Sequence, residues 1–544
     1  MRKLGESFQL STLIPEPSDI PGQAAVSFPL NQLEYLIGGD IRAWKGPSKP
    51  VHSPVLIAGA PENQARILGS FPLLDRHTAL EALAAAVTAY DNGRGVWPSM
   101  SVAKRIEHME LFTRMMIDRR AQIVALIQWE VAKNLPDAEK EFDRTIEYIE
   151  ATVGALKDLD NANSRFTTVD GTIAQIRRSP LGVVLCMGPY NYPLNETLTT
   201  LIPALIMGNT ILLKPPKLGV LIYGQLLEAF QKAFPPGVVN TVYGQGEEVV
   251  PPLMESGRVS VLALIGSSKV ADKLKKLHPK SNRLRAILGL DAKNPGIILP
   301  DADLNLAVKE CLLGTLSFNG QRCTALKILL VHRSIAEQFV EKLSVAVNGM
   351  SIGMPWEAGV QITPVAEAGR VAYLAECIAD AKAKGGAVTN AHGGEFLGTL
   401  FRPAVVYPVS PDMKLYQEEQ FGPIIPVVPF DNVSEALEYV SESKYGQQVS
   451  VFGSDPAQIG SVADQLVNQV CRVNINAQCQ RGPDIFPFTG RKDSGEGTLS
   501  VADALRAFSI RTMIAAKETA ASKELLHAIV SGGHSNFIHT GFVF

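Results

Sequence analysis

Val183-Val184-Leu185-Cys186, then a helical run from Leu194 to Met207, then Thr210-Ile211-Leu212-Leu213 follow one another with little between them. Two short apolar runs of strand length around a longer helical one form a strand–helix–strand unit. The rhythm continues downstream. Leu218 to Phe234 reads as a helix, and Val238 to Val242 and Val261 to Ile265 read as strands. Gly266-Ser267-Ser268 then opens a helix that runs through Leu277. Strands alternating with helices predict an α/β fold with a doubly wound parallel sheet. A second α/β block is predicted from about Asn294 to Phe488, and it carries Cys323.

Outward from this core the pattern changes. Thr78 to about Leu159 is helical, with Leu80, Leu83, Ala84 and Val87 at threes and fours. Further on, Phe166-Thr167-Thr168-Val169 and Thr172-Ile173-Ala174-Gln175-Ile176 flank Asp170-Gly171, a two-residue hairpin signal. A hairpin lying between two α/β segments suggests an arm that pairs with another subunit. A surface hairpin of a monomer fits the same residues nearly as well. Residues 1–50 are proline-rich and weakly periodic, and read as an extension packed on the outside. The tail, residues 516–544, ends apolar (Phe537, Ile538, Phe542, Val543, Phe544) and is expected to dock on the body or a neighbour. The expected organisation is a cofactor-binding domain from residues 51–160 and 181–288 and a catalytic domain from 289–488. Residues 161–180 and 489–515 complete it as a β-hairpin oligomerisation arm.

The composition excludes several classes. Among 544 residues 46% are hydrophobic, 19% are charged, and the net charge is −3, which speaks against a nucleic-acid or anionic-membrane partner. The six cysteines (Cys186, Cys311, Cys323, Cys377, Cys471 and Cys479) are scattered without a CxxC pair. They fit neither a disulfide framework nor a zinc site, so a reducing compartment is the default. Met1-Arg2-Lys3-Leu4 opens without the apolar stretch of a signal peptide. The longest apolar window, Leu201 to Leu213, is interrupted by Pro203, Gly208 and Asn209 and is too short to span a bilayer. A soluble cytoplasmic protein is expected. The nine histidines form no ligand-spaced cluster, so no metal site is expected.

The chemistry starts at Phe318-Asn319-Gly320-Gln321-Arg322-Cys323-Thr324-Ala325. A thiol beside a guanidinium reads as a nucleophile whose thiolate is favoured; a buried structural cysteine is the plainer alternative. The first strand–helix turn lacks GxGxxG. Gly266-Ser267-Ser268 instead offers free amides and hydroxyls at a helix start for a phosphate. Lys214 and Lys217 stand at the carboxyl end of a parallel strand, where ligands bind in such sheets.

Four segments together carry a resemblance: Gly188-Pro189-Tyr190-Asn191-Tyr192-Pro193, Gly208-Asn209-Thr210 leading to Lys214-Pro215, the Cys323 run, and Glu418-Glu419-Gln420-Phe421-Gly422-Pro423. By their order and spacing the chain resembles the aldehyde dehydrogenase superfamily over roughly residues 50 to 510. The resemblance implies that Cys323 attacks the aldehyde carbonyl, while the Asn191 amide and the Cys323 N–H hold the resulting oxyanion. It implies that Glu419 and Phe421 hold the nicotinamide ribose and Lys214 the adenosine ribose. Pro189, Gly246, Gly266, Ser267 and Leu290 would line the cofactor. NAD-preferring relatives commonly carry a glutamate three residues after that lysine. Here the position is Lys217, and two ammonium groups would favour the 2′-phosphate of NADP over the free hydroxyl of NAD.

Within the superfamily the chain most resembles the non-phosphorylating, NADP-dependent glyceraldehyde-3-phosphate dehydrogenases. The marks are the Gly320–Ala325 run, Lys214-Pro215-Pro216, Arg144-Thr145, and Arg481-Gly482-Pro483-Asp484-Ile485-Phe486-Pro487-Phe488. Arg144, Tyr192, Arg322, Thr324 and Arg481 would then surround the substrate, with the arginines on its phosphate. One position departs from the pattern. Most of the superfamily has Glu-Leu-Gly-Gly-Lys, whose glutamate activates the water that hydrolyses the thioester; here the run is Gly289-Leu290-Asp291-Ala292-Lys293. Asp291 or Glu419 would substitute, or deacylation would be slow, or coenzyme A would take the acyl group, as in the acylating semialdehyde dehydrogenases. A catalytically idle relative acting as a binding protein is a further alternative. The expected reaction is oxidation of a small phosphorylated aldehyde, D-glyceraldehyde 3-phosphate, to its acid with NADP, in a self-associating dimer or tetramer.

Overall fold

The computed structural model describes residues 2–24, 26–58 and 66–543; Phe544, at the end of the apolar tail, lies outside them. The first sheet runs Val239–Thr241, Thr210–Lys214, Val183–Met187, Val261–Ile265, Arg285–Gly289, all parallel, with Gly495–Glu496 added antiparallel at one edge. The chain starts in the middle strand, winds to one side, then returns to wind to the other. The reversal falls between Val183–Met187 and Val261–Ile265, whose carboxyl ends therefore open the crevice where such sheets bind ligands. Both strands are apolar because helices cover both faces. The helix Asn195–Ile206 is buried along its whole length, Glu196 included.

The second sheet holds seven strands in the order Ala387–Val388, Ala404–Tyr407, Ile424–Phe430, Leu326–His332, Asn294–Ile298, Gln448–Phe452, Arg472–Ile475. All are parallel except the first pair. The Cys323 loop enters this sheet at the amino end of Leu326–His332 and faces the crevice of the first sheet.

Phe166–Val169 and Thr172–Pro180 form the expected hairpin. Asp170 and Gly171 have φ of 46° and 73°, the left-handed pair that a tight hairpin with right-handed strand twist requires. Its third strand is Ser509–Lys517, paired antiparallel with Thr172–Pro180. The assignment of residues 489–515 to the arm is corrected here. Arg491–Lys492 pairs with Tyr445–Gly446 in the catalytic half, Gly495–Glu496 with the cofactor sheet, and only the strand from Ser509 belongs to the arm.

One further reading changes. Leu218 to Phe234 is not one helix but a 3-10 stretch, Leu221–Leu226, followed by Leu227–Ala233. The buried Glu130 carboxylate takes the Leu221 N–H at 3.0 Å and pins that start. The N-terminal extension is stitched to the body it lies on. Arg2–Lys3 pairs with Ser351–Ile352, and the buried Arg402 guanidinium donates to the carbonyls of Leu4, Glu6 and Phe8. The Leu36 N–H reaches Thr241 Oγ1 at 2.8 Å. The tail docks on the body, where His539 O accepts from Gln175 Nε2 and Asn161 holds Val543. Among the described residues no helix is long and apolar enough to cross a membrane.

Candidate active site

A cavity of about 700 Å³ opens between the two sheets, within the usual range for a small-molecule site. The cofactor half contributes Pro189, Asn191, Glu196, Lys217, Gly266, Ser267, Gly289 and Leu290; the catalytic half contributes Cys323, Glu419 and Phe421. The fold thus brings together nine of the residues singled out from the sequence.

The Cys323 loop is held in an unfavourable backbone shape. Phe318, Asn319 and Gly320 have φ of 49°, 55° and 68°, and the left-handed region costs a non-glycine residue about 1–2 kcal/mol. Polar anchors hold it there. Asn319 donates to the Thr363 carbonyl at 2.7 Å and accepts its N–H at 3.2 Å. Gln321 Oε1 accepts the Ala366 N–H at 3.1 Å. On the other side of the thiol, Asn294 Nδ2 donates to the carbonyls of Cys323 (2.9 Å) and Ala325 (3.1 Å).

Asn191 Nδ2 donates to the Gln321 carbonyl at 2.8 Å. An amide nitrogen carries two hydrogens, so one remains for an oxygen bonded at Cys323. The thiol itself is not activated in the way the sequence suggests. Burial pushes its pKa up, and the Lys327 ammonium and the Arg322 guanidinium only partly offset this. Arg322 is turned away, donating to the carbonyls of Leu313 (3.3 Å) and Gly314 (2.9 Å). Lys327 is the nearer help, and it is shared with Glu419.

Glu419 receives Lys327 and the Ala292 N–H on Oε1. Its Oε2 has no hydrogen bond among the described residues. Phe421, itself at φ 44°, sets its ring edge-on to Tyr190 with centroids 6.0 Å apart. At the start of the helix Ser268–Leu277, Ser267 caps the Val270 N–H. The Ser268 N–H and hydroxyl both go to Asp291 Oδ2, at 2.8 and 2.9 Å. The helix start expected to be open for phosphate is therefore partly filled by a carboxylate. Lys217 is exposed and ion-paired with Glu367. Lys214 lies outside the cavity beside Gly246, donating to the Pro215 carbonyl at 2.9 Å, and burial lowers its pKa to about 8.

The substrate set is not brought together as free groups; Arg144, Tyr192, Arg322, Thr324 and Arg481 do not line the cavity. Arg144 is bidentate on Asp484 at 2.9 and 2.6 Å. Arg481 is buried, ion-paired with Glu196, and 3.5 Å from Asp484. Tyr192 lies under the buried Lys133 ammonium, 3.3 Å from its ring centroid. Two carboxylates thus absorb the charge that the sequence assigns to a phosphate. Both were readable. Glu196 is a lone charge in an apolar helix, and Asp484 stands within the Arg481 motif. Among the described residues no group of three or more His, Cys, Asp or Glu is placed to hold a metal.

The aldehyde dehydrogenase family model matches residues 58–514. The chain belongs to the aldehyde dehydrogenase family. It is 35% identical over 457 residues to the NADP-dependent glyceraldehyde-3-phosphate dehydrogenase of Streptococcus equinus, covering 83% of this chain and 92% of that one. The crystal structure of NADP-dependent glyceraldehyde-3-phosphate dehydrogenase from Bacillus halodurans, complexed with NADP, matches with a TM-score of 0.82 and 29% identity, covering 90% of this chain and all of that one. Betaine aldehyde dehydrogenase from Staphylococcus aureus in complex with NAD+ matches with a TM-score of 0.79 and 25% identity, covering 90% and 96%. This aldehyde dehydrogenase is an oxidoreductase acting on aldehydes, with its crevice at the family's sheet switch point.

Proposed function

We propose that the enzyme oxidises a small phosphorylated aldehyde, D-glyceraldehyde 3-phosphate, to the carboxylic acid with NADP, through a thioester on Cys323. The observation that carries this reading is the convergence of Cys323, Asn191, Glu419 and Phe421 on one cavity, together with the named activity of the Streptococcus relative. Cys323 Sγ attacks the carbonyl carbon and the free Asn191 N–H meets the oxyanion, a contact worth most in a dry site.

The residues present fit a dinucleotide. Glu419 Oε2 is free to accept a ribose hydroxyl; Lys214, buried outside the cavity lining, and Lys217, once it exchanges Glu367 for the ligand, are the cations proposed for the 2′-phosphate. Those cations favour NADP over NAD. Bound NADP supplies the hydride acceptor. Arg144 is proposed for the substrate anion; it is less buried than Arg481 and would have to exchange Asp484 for the ligand. Arg322 and Thr324 flank the nucleophile beside it. Self-association is proposed through the arm, whose Val169 and Met513 side chains are exposed.

Stopped-flow NADPH formation from glyceraldehyde 3-phosphate, with and without coenzyme A, tests the reading. A burst followed by steady turnover without coenzyme A is expected. A burst that stalls until coenzyme A arrives would make the enzyme an acylating one, and no burst would remove this aldehyde as substrate.

A further inference from the structure

Hydrolysis of the thioester needs a base, and Gly289 stands where the family's glutamate would be. Among the described residues five carboxylates line the cavity, and each is engaged through at least one oxygen. Asp291 is held by the N–H and hydroxyl of Ser268, and Glu367 pairs with Lys217. Glu418 accepts the Tyr373 hydroxyl at 2.7 Å, and Glu419 is taken by Lys327 and proposed for the ribose.

Glu196 is paired as well, but it differs from these in being buried. It lies in the first turn of Asn195–Ile206, five residues after Asn191, and faces the cavity that contains Cys323. Arg481 grips its Oε2 from the far side, while Oε1 has no hydrogen bond among the described residues. A neighbouring guanidinium and a helix start both favour the ionised form of a carboxylate. A lone charge in a wholly buried helix is costly unless it is used or paired; here one oxygen is paired, and the residue lines the reaction cavity.

We propose that Glu196 is the general base of deacylation in place of the residue missing at 289, with Arg481 as its positioning residue. This deepens the reading above and rests on water as the acyl acceptor. The water oxygen bonds to the thioester carbonyl carbon while Glu196 Oε1 takes one of its protons. The tetrahedral species then collapses, the C–S bond breaks, and its electron pair returns to Cys323 as thiolate. The acid leaves, and Glu196 passes its proton to the thiolate or to solvent.

The test acylates the full-length enzyme with p-nitrophenyl acetate, which needs neither aldehyde nor cofactor. Nitrophenolate release reports acylation, and decay of the acetyl-enzyme is followed by intact mass. Glu196→Gln is expected to keep the nitrophenolate burst and slow the decay by about 10²-fold or more. Adding Gly289→Glu to that variant is expected to restore decay. The atoms nearest a Cβ at 289 belong to Ile265 and Leu499, at 3.4 Å or beyond, an ordinary contact, and a merely structural role for Glu196 would not be rescued from a different element. Where Glu196→Gln does not fold, Glu196→Asp decides, with an intact burst and slowed decay expected. Decay at the wild-type rate in the folded variant overturns the assignment. A wild-type acetyl-enzyme that persists until coenzyme A is added overturns the water reading and Glu196 with it. Acetyl-enzyme turnover without any NADPH burst from glyceraldehyde 3-phosphate removes only the substrate and leaves Glu196 standing.

Discussion

Cys323 holds its proton because burial outweighs the two cations near it. Its folded pKa is raised, so the thiolate is scarce at neutral pH and grows as pH rises. Alkylation of the free enzyme by iodoacetamide is therefore expected to keep accelerating past the ordinary thiol range. Lys327→Met should slow it at neutral pH by roughly tenfold, because one nearby cation is worth about one unit or more. A rate that levels off below that range would refute the electrostatic account. Lys214 titrates the other way. Burial lowers it to about 8, so its positive charge is complete below that pH and disappears above it. The KM for NADP should rise as pH passes about 8, while Lys214→Met should give a high KM that no longer varies there. Asn191→Ala, which deletes the proposed oxyanion donor, is expected to cost about 10²–10³-fold in kcat with KM nearly unchanged. A pure KM effect would assign Asn191 to binding instead.

Local elements were legible where one rule of backbone geometry suffices. Asp170-Gly171 between two β-branched runs could be read as a hairpin because both residues tolerate positive φ, and the strands form on either side. The 3-10 start at Leu221 could not, because Glu130, distant in sequence, takes its N–H. The nucleophile loop shows the same limit. Its motif was recognisable, but the left-handed run at Phe318–Gly320 follows from tertiary anchors on Asn319 and Gln321. Gly320 has no spare room there; a Cβ would lie 2.7 Å from the carbonyl oxygens of both Thr315 and Gly422. Gly320→Ala should thus destabilise the protein by about 1–3 kcal/mol, seen as a lower Tm, and should slow Cys323 alkylation by displacing the thiol. An unchanged Tm and alkylation rate would mean that the loop shifts freely.

At the scale of the whole molecule the two α/β blocks were foreseen from alternating strand and helix periods, and so was ligand binding at the carboxyl end of a parallel strand. The seams between parts were not, because they are made of single long side chains reaching backbone carbonyls, which leave no periodic trace. Residues 1–50 read as an extension packed on the outside because little apolar pattern marks them. Their anchor is Arg402, distant in sequence and only 1% exposed, which spans the carbonyls of Leu4, Glu6 and Phe8. A guanidinium suits this task because its donors form a rigid fork. Arg402→Met keeps much of the volume but leaves buried carbonyls unpaired, each costing about 1–3 kcal/mol. The variant should have a lower Tm, and limited proteolysis should cut first within the N-terminal segment while the Cys323 cavity still binds NADP. Cleavage that begins instead in the catalytic half would mean that Arg402 holds the second sheet rather than the seam.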